Sequence, residues 1–513
     1  MTIRRALLSV YDKTGLASLA RQLSELGVEL IASGGTAQVL VDEGIPVTPL
    51  EELTGFGELL GHRVVSLHPA VHAGILARRE VPDDLAQLEA HGFAPIDLVC
   101  VNLYPFQRTI GRLDVAWEEA IEQIDIGGPT LLRAAAKNHA HVVPLSRPED
   151  YDQVVEEYRV NADVSPATRR ALAARAFQAT ASLDGAVAGW LGREEPFPDT
   201  FVPVFDRVLE LSYGENPHQQ AAYYAQRGAR THVLARVEQL QGKPLSFNNI
   251  ADLSAARLLL LELEGAAAVI VKHGNPCGVA RAETIEAAYD LARAADPVSA
   301  YGGVVAVNRQ VSDELGRALA EQFVEVLHAP GFTDEALEQL AGRETTRVLA
   351  DNERRAFVTT ERDLRRVLGG LLVQDRDADG DPLDTMDVVC GDSDAGLWEE
   401  LLFAWTVVKH VDSNAIVLAR GSQTIGIGAG QMSRVDAVRL ALDKARELGH
   451  DLEGAVLASD AFFPFADGPQ LALEAGIRAI IQPGGSKRDG EVTDAVRAAG
   501  ATMVHTGRRH FRH

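Results

Sequence analysis

The chain has 513 residues, with 49 basic and 73 acidic side chains and a formal charge of −24. That length calls for roughly two to four domains, and that charge argues against nucleic acid or an anionic membrane as a general partner, while a small anion can still bind where the local field is positive. Three scattered cysteines, Cys100, Cys277 and Cys390, indicate no disulfide framework and fit a reducing, cytoplasmic setting.

The opening "MTIRRALLSVYDKTG" is too short in apolar residues for a secretion signal, and no run approaches the roughly 20 apolar residues of a membrane span. "RALLSVYD" reads as a strand, "TGLASLARQLSELG" (14–27) as a helix stopped by glycine, and "VELIAS" (28–33) as a second strand. This βαβ rhythm predicts a parallel sheet covered by helices. "SGGTAQVL" (33–40) then joins strand to helix, and the amides of Gly35, Thr36 and Ala37 either face an anion or simply make a tight turn. "LVCVNLYPF" (98–106) reads as a central strand ended by Pro105. "DIGGPTLLRAAAKNH" (125–139) repeats the glycine device, with Pro129 at a first helical position and Lys137 further along. Two such loops in one small domain favour phosphate binding. The pattern turns helical over about 148–191, and three prolines in "REEPFPDTFVPVFD" (193–206) mark a linker, which places a first domain at 1–195.

Beyond the linker, "VIVKHGNPCGVA" (269–280) resembles "TVVKHVDSNAIVLA" (406–419). Each is followed by a helical stretch and then a small-residue strand, "YGGVVAVN" (301–308) or "EGAVLASD" (453–460). That matching order predicts a duplicated α/β unit with a site between its copies. "IGIGAGQ" (425–431) lacks the glycine offset of a dinucleotide fingerprint and reads as a close-packed hairpin strand leading to Arg434. In "VKHGNPCG" a metal site fails, because a zinc deaminase needs Pro-Cys-x-x-Cys and Cys277 is followed by Gly278, Val279 and Ala280. An acid–base pair of Lys272 and His273 requires the strand to end there, which Gly274-Asn275-Pro276 supplies. A merely polar strand end stands beside it as the alternative.

The pieces "SGGTA", "RVVSLHPAVHAGILARR" (63–79), "VNLYPF", "EQIDIGG", "LLRAAAKNH", "YGENPHQ" (213–219), "VKHGNPCG", "DPVSAYGG" (296–303), "SNAIV", "IGIGAGQMSR", "SDAFFPFADG" (459–468) and "RRHFRH" run in order along the chain. Together they resemble the bifunctional family of 5-aminoimidazole-4-carboxamide ribonucleotide (AICAR) formyltransferases and IMP cyclohydrolases. The resemblance implies an α/β fold: a methylglyoxal-synthase-like parallel-sheet domain at 1–195 for ring closure, and a transferase at 200–513. The transferase would consist of two duplicated cytidine-deaminase-like lobes without zinc, roughly 200–375 and 376–513. It further implies 10-formyltetrahydrofolate as co-substrate, no catalytic metal, and a homodimer with transferase sites at the subunit interface.

The resemblance also assigns roles. The AICAR amine is a poor nucleophile, so its attack on the formyl carbon needs a base, for which His273 is expected, and an oxyanion partner, for which Lys272 and Asn414 are expected. Tyr213, Asn249 and Arg509 would hold AICAR, and Tyr301, Pro464, Phe465 and Asp467 would line the folate pocket. For ring closure, Tyr104, Asp125 and Lys137 would meet the reacting atoms, with Ser9, Lys13, Gly35, Thr36 and Arg63 toward the phosphate. Three positions depart from the family pattern. Val65 stands where a lysine is usual, Ser212 where an arginine precedes Tyr-Gly-Glu-Asn, and Asp412 where a basic residue precedes Ser-Asn-Ala. These departures predict slower ring closure, with a formyltransferase whose cyclohydrolase half is impaired, structural or regulatory as the alternative. They also predict weaker AICAR binding unless Arg434 and Arg509 compensate.

Overall fold

The computed structural model describes residues 2–112, 114–229, 231–351, 362–378 and 380–513. The chain divides into two compact units, Met1–Phe205 with Gln226–Gly228, and Asp206–Ala225 with Ala229–His513.

In the first unit β1 (Arg5–Val10), α1 (Leu16–Glu25), β2 (Glu29–Ala32), α2 (Gly34–Asp42), β3 (Thr48–Pro49), β4 (Leu98–Asn102), α3 (Gly127–Lys137), β5 (Val143–Leu145) and α4 (Pro166–Leu191) follow in chain order, and the strands form one sheet in the order β3-β2-β1-β4-β5. Every pairing in it is parallel. The strands are apolar on both sides because both faces are covered. Leu8, Leu30 and Cys100 pack on one face with Leu16, Leu19 and Tyr151, while Leu7, Ile31 and Val99 pack on the other with Val71 and Leu131. Each such fully buried Leu or Ile contributes about 1.5–3 kcal/mol. Gly27 ends the turn after α1 with φ +78°, where a side chain would be strained.

The second unit holds a twelve-stranded sheet. One half contains β6 (Val237–Gln241), α5 (Phe247–Leu261), β7 (Ala266–Lys272), β8 (Asn275–Ala282), α6 (Ile285–Ala295), β9 (Val304–Val307), β10 (Val326–Ala329) and β11 (Arg347–Asp351). The other contains β12 (Asp387–Cys390), α7 (Ala395–Val408), β13 (Ile416–Arg420), β14 (Gln423–Gly428), α8 (Arg434–Glu447), β15 (Val456–Ser459), β16 (Ala479–Gln482) and β17 (Thr502–His505). The strand order β12-β17-β16-β15-β13-β14-β8-β7-β9-β10-β11-β6 is a palindrome about the β14–β8 seam. The element order read from the sequence is therefore present twice. "IGIGAGQ" is the hairpin strand expected: a Cβ at Gly428 would lie 2.0 Å from the Ala437 carbonyl of α8, and one at Gly278 of β8 would lie 1.9 Å from that of Ala292 in α6. Each helix thus presses on a glycine of its own hairpin.

The repeated Val-Lys-His triplet, however, does not mark equivalent positions. Lys272 ends strand β7, whereas Lys409 and His410 follow the last turn of helix α7. The strand equivalent to β7 is β13, which starts six residues after His410.

Antiparallel pairing at β13–β14, β14–β8 and β8–β7 makes β7 and β13 run in opposite directions. The end of β7 and the start of β13 therefore lie on the same edge of the sheet. The ends of β14 and β15 and the start of β9 share that edge.

Candidate active sites

At the carboxyl ends of β1, β2 and β4, where parallel sheets bind ligands, a cavity of about 680 Å³ opens in the first unit. It is lined by Ser9, Lys13, Gly35, Thr36, Arg63, Tyr104 and Asp125, and also by Val65. Two glycine turns supply its floor. α2 starts two residues after β2, and its first amides are those of Gly34 and Gly35. The amides of Thr36 and Ala37 donate to the Ser33 carbonyl instead, which corrects the expectation that they face an anion. The Thr36 hydroxyl bonds the backbone of Val10 and accepts from Lys13 at 3.1 Å. Burial lowers the pKa of Lys13, whose ammonium also donates to the Val10 carbonyl.

At the start of α3, Asp125 accepts from the Gly128 amide at 2.8 Å. A Cβ at Gly128 would lie 2.3 Å from the other carboxylate oxygen, so only glycine fits. Burial raises the pKa of Asp125 against the amide bonds it accepts from Gly128 and Tyr104. Burial also raises the Tyr104 phenol, helped by the carboxylates of Asp125 and Glu58. A carboxyl and a phenol whose pKa values are both raised by burial thus share one cavity, a pairing suited to proton transfer. Arg63 is exposed and paired with Glu122.

Lys137 does not join them. It ends α3 ten residues beyond Gly127, is exposed, and at 1.5 Å per residue lies about 15 Å along the helix. Val65, like Leu53 and Leu103, packs against the apolar core, which leaves its part of the wall uncharged. The sequence reading missed Glu58, His62, Tyr11, Asn102 and Ser66, which also line the cavity. Of these, Asn102 inside "VNLYPF" and Ser66 inside "RVVSLHPAVHAGILARR" carried a visible signal.

The second site is the shared edge of the long sheet. β7 and β8 are joined by a two-residue turn in which His273 has φ +55° and Gly274 φ +79°, the left-handed pair such hairpins need. Asp252 of α5 fixes that turn by accepting from the amides of Gly274 at 2.7 Å and His273 at 3.3 Å. The His273 side chain is exposed. The Lys272 ammonium donates to the Tyr301 carbonyl at 2.6 Å. Asn275 joins the turn to the segment before β13: its amide donates to Asp412 at 2.8 Å and accepts from the Asp412 backbone at 2.8 Å. Lys272, His273 and Asn414 are brought to one edge in this way. Asp412, also 3.6 Å from Arg512, has a structural use for its charge.

Two expected roles are corrected here. Asn414 donates to the carbonyls of Gln431 at 2.8 Å and Met432 at 3.3 Å, and accepts from Arg434 at 2.7 Å, so its amide is committed rather than open to an oxyanion. Arg434 is buried, paired with Asp460 and bonded to Ser459 at 2.8 Å, so it is not free to hold a phosphate. Asn249 is buried at the start of α5 and forms a capping box with Ser246. Tyr213 is half-buried and its carbonyl accepts from Phe247, while Ser212 donates its hydroxyl to the Leu245 carbonyl. Arg509 is exposed, with its guanidinium 4.5 Å from the centre of the Phe511 ring. Tyr301, Pro464, Phe465 and Asp467 are exposed as well.

The sequence model of the AICARFT/IMPCHase bienzyme family matches residues 135–444, and that of the MGS-like domain matches residues 15–130. A protein of Anoxybacillus flavithermus described as bifunctional purine biosynthesis protein PurH is 47% identical over 518 residues, 99% of this chain and 100% of that one. The crystal structure of ForH is 38% identical, covering 37% of this chain and 100% of that chain, with a TM-score of 0.34.

Proposed function

The chain belongs to the AICARFT/IMPCHase bienzyme family, and from that premise we propose where its two reactions, formyl transfer to AICAR and dehydrative ring closure to IMP, take place. Ring closure is assigned to the cavity of the first unit, and formyl transfer to the sheet edge that carries Lys272 and His273. The observation that supports the first assignment most strongly is that Asp125 and Tyr104, both with raised pKa values, line one cavity with Gly34 and Gly35. The amides take the nucleotide phosphate, and the carboxyl and phenol move protons between the carboxamide nitrogen and the formyl oxygen.

At the sheet edge His273 takes the proton of the AICAR amine as its nitrogen bonds the formyl carbon. Lys272 faces the oxyanion of the tetrahedral intermediate, and removing such a donor typically costs about 10²–10³ in rate. Asn414 positions the loop before β13, and Arg509, with Tyr213, binds AICAR. The formyl donor in this reading is 10-formyltetrahydrofolate, and no metal takes part. The exposed Tyr301, Phe465 and Arg509 are surfaces that a second copy of the chain would cover in a homodimer. A cytoplasmic location is in keeping with three free cysteines.

The test is to separate the half-reactions. Asp125→Asn is expected to lose the conversion of formylated AICAR to IMP while still forming formylated AICAR, and Lys272→Ala the reverse. A variant that loses both, or neither, would refute the assignment of sites.

A further inference from the structure

His62 is a side chain of the cavity wall with no role in the account above. It has φ +73°, a left-handed backbone that glycine adopts freely and a side chain strains. Its Nδ1 lies 2.7 Å from the Glu58 carboxylate, and both residues line the same cavity as Tyr104 and Asp125. Three residues further on, the wall is formed by Val65, which carries neither charge nor a transferable proton. An imidazole on a strained backbone is thus held, with an orienting carboxylate, in a wall that Val65 leaves uncharged.

We infer that His62 is a catalytic residue of ring closure, supplying the positive charge and the transferable proton that Val65 lacks. This rests on the reading of the cavity as the ring-closing site. In the addition step the carboxamide nitrogen bonds the formyl carbon and the carbonyl π pair moves onto oxygen. Asp125 takes the nitrogen-bound proton, and His62 as imidazolium gives one to the oxygen. In the elimination step the C–O bond breaks and the leaving hydroxyl receives the proton held by Asp125, departing as water. The former formamide nitrogen gives its proton to His62, and its electron pair closes the C=N bond of the new ring. Both side chains return to their starting states, and the two N–H protons lost by the substrate leave in the one water formed. Glu58, bonded to Nδ1, leaves Nε2 for the substrate.

The test compares wild type, His62→Gly, Val65→Lys, His62→Gly/Val65→Lys and Asp125→Asn, all supplied with formylated AICAR alone and read as IMP formed, beside thermal melts of each. His62→Gly removes backbone strain, so its melting temperature is expected to hold or rise while kcat falls about 10²-fold, the scale for losing one such donor, with KM little changed. Val65→Lys is expected to restore at least about tenfold of that loss in the His62→Gly background and to add little to wild type. A His62→Gly enzyme with wild-type kcat, beside an inactive Asp125→Asn, would overturn the role of His62 and leave the cavity assignment standing. Full activity in Asp125→Asn as well would overturn the cavity assignment itself. A kcat loss accompanied by a matching fall in melting temperature, unrelieved by Val65→Lys, would assign His62 a purely structural role and also refute the inference.

Discussion

Replacing Arg434 with alanine tests whether this residue orients the transferase edge or binds substrate. Its guanidinium is paired with Asp460, whose side chain is wholly buried, and it also bonds Ser459 and Asn414. Removing one partner of a buried ion pair costs about 3–5 kcal/mol, because the other charge is left without compensation. Asp460 keeps the Ser413 hydroxyl at 2.5 Å, which places the loss near the lower end, about 3 kcal/mol. At about 2.1 cal/mol/K per residue, a unit of about 300 residues melts with an entropy near 0.6 kcal/mol/K, so the transition should fall by roughly 5 °C. Calorimetry would measure that fall, and steady-state formyl transfer would measure the consequence for Asn414. We expect kcat to drop while KM for AICAR changes little, because Arg434 fixes the Asn414 amide and is itself screened from solvent. Asp460→Asn added to Arg434→Ala should recover part of the stability, by removing the stranded charge, but none of the kcat. A variant that melts like wild type and shows only a raised KM for AICAR would refute this reasoning and restore Arg434 as a phosphate ligand.

Four further outcomes are expected. Gly128→Ala would bring a methyl group to 2.3 Å from the Asp125 carboxylate, so the carboxylate must swing away, and IMP formation from formylated AICAR should fall about 10²-fold; an unchanged rate would refute it. Lys137→Ala should change the same rate by less than about fivefold, the most that an exposed charge usually contributes, and a loss of orders of magnitude would show that the lysine reaches the site. Both ring nitrogens of the buried His510 face carboxylates, Asp377 at 2.6 Å and Asp381 at 2.7 Å, which only imidazolium can satisfy as donor. Burial lowers the His510 pKa, but the bonds to Asp377 and Asp381 outweigh it and the net shift is upward. The stabilisation is therefore complete below the unfolded histidine's pKa of about 6.5 and is lost as pH rises through the folded value. Melts of wild type against His510→Leu from mildly acidic to alkaline pH should converge at the alkaline end, and parallel curves would exclude the linkage. Burial raises the thiols of Cys100 and Cys277 to about 12, so iodoacetamide at pH 8 should leave both unmodified in the native protein when read by mass spectrometry.

Local patterns were legible where the physics is local. Helix α1, the glycine at its end, the glycine turns at 34–35 and 127–128 and the order of elements in the duplicated unit all follow from apolar spacing and from glycine's tolerance of close approach. The Val-Lys-His triplets misled because three residues carry no periodicity, so the same tripeptide ends a strand at 271–273 and a helix at 408–410. Arg434 misled differently. An arginine after a glycine-rich strand looks available, and nothing nearby in sequence reveals that Asp460 occupies it. Asp252 was invisible for the same reason, since it holds the His273 turn from 21 residues away. Lys137 could have been judged by helix pitch alone. The positive φ of His62 could not, because it depends on how the loop closes over the cavity.

The palindromic order of the long sheet gives the molecule two addresses of the same construction and only one tenant. The two-residue turn joining β13 to β14 is the reversed twin of the one joining β7 to β8: Arg420 stands for Lys272, and Gly421, at φ +58°, stands for His273. Arg420 is bound to Asp451, and glycine offers no imidazole. The ancestral symmetry has therefore been spent unequally, with one hairpin kept as apparatus and its sibling retained as masonry.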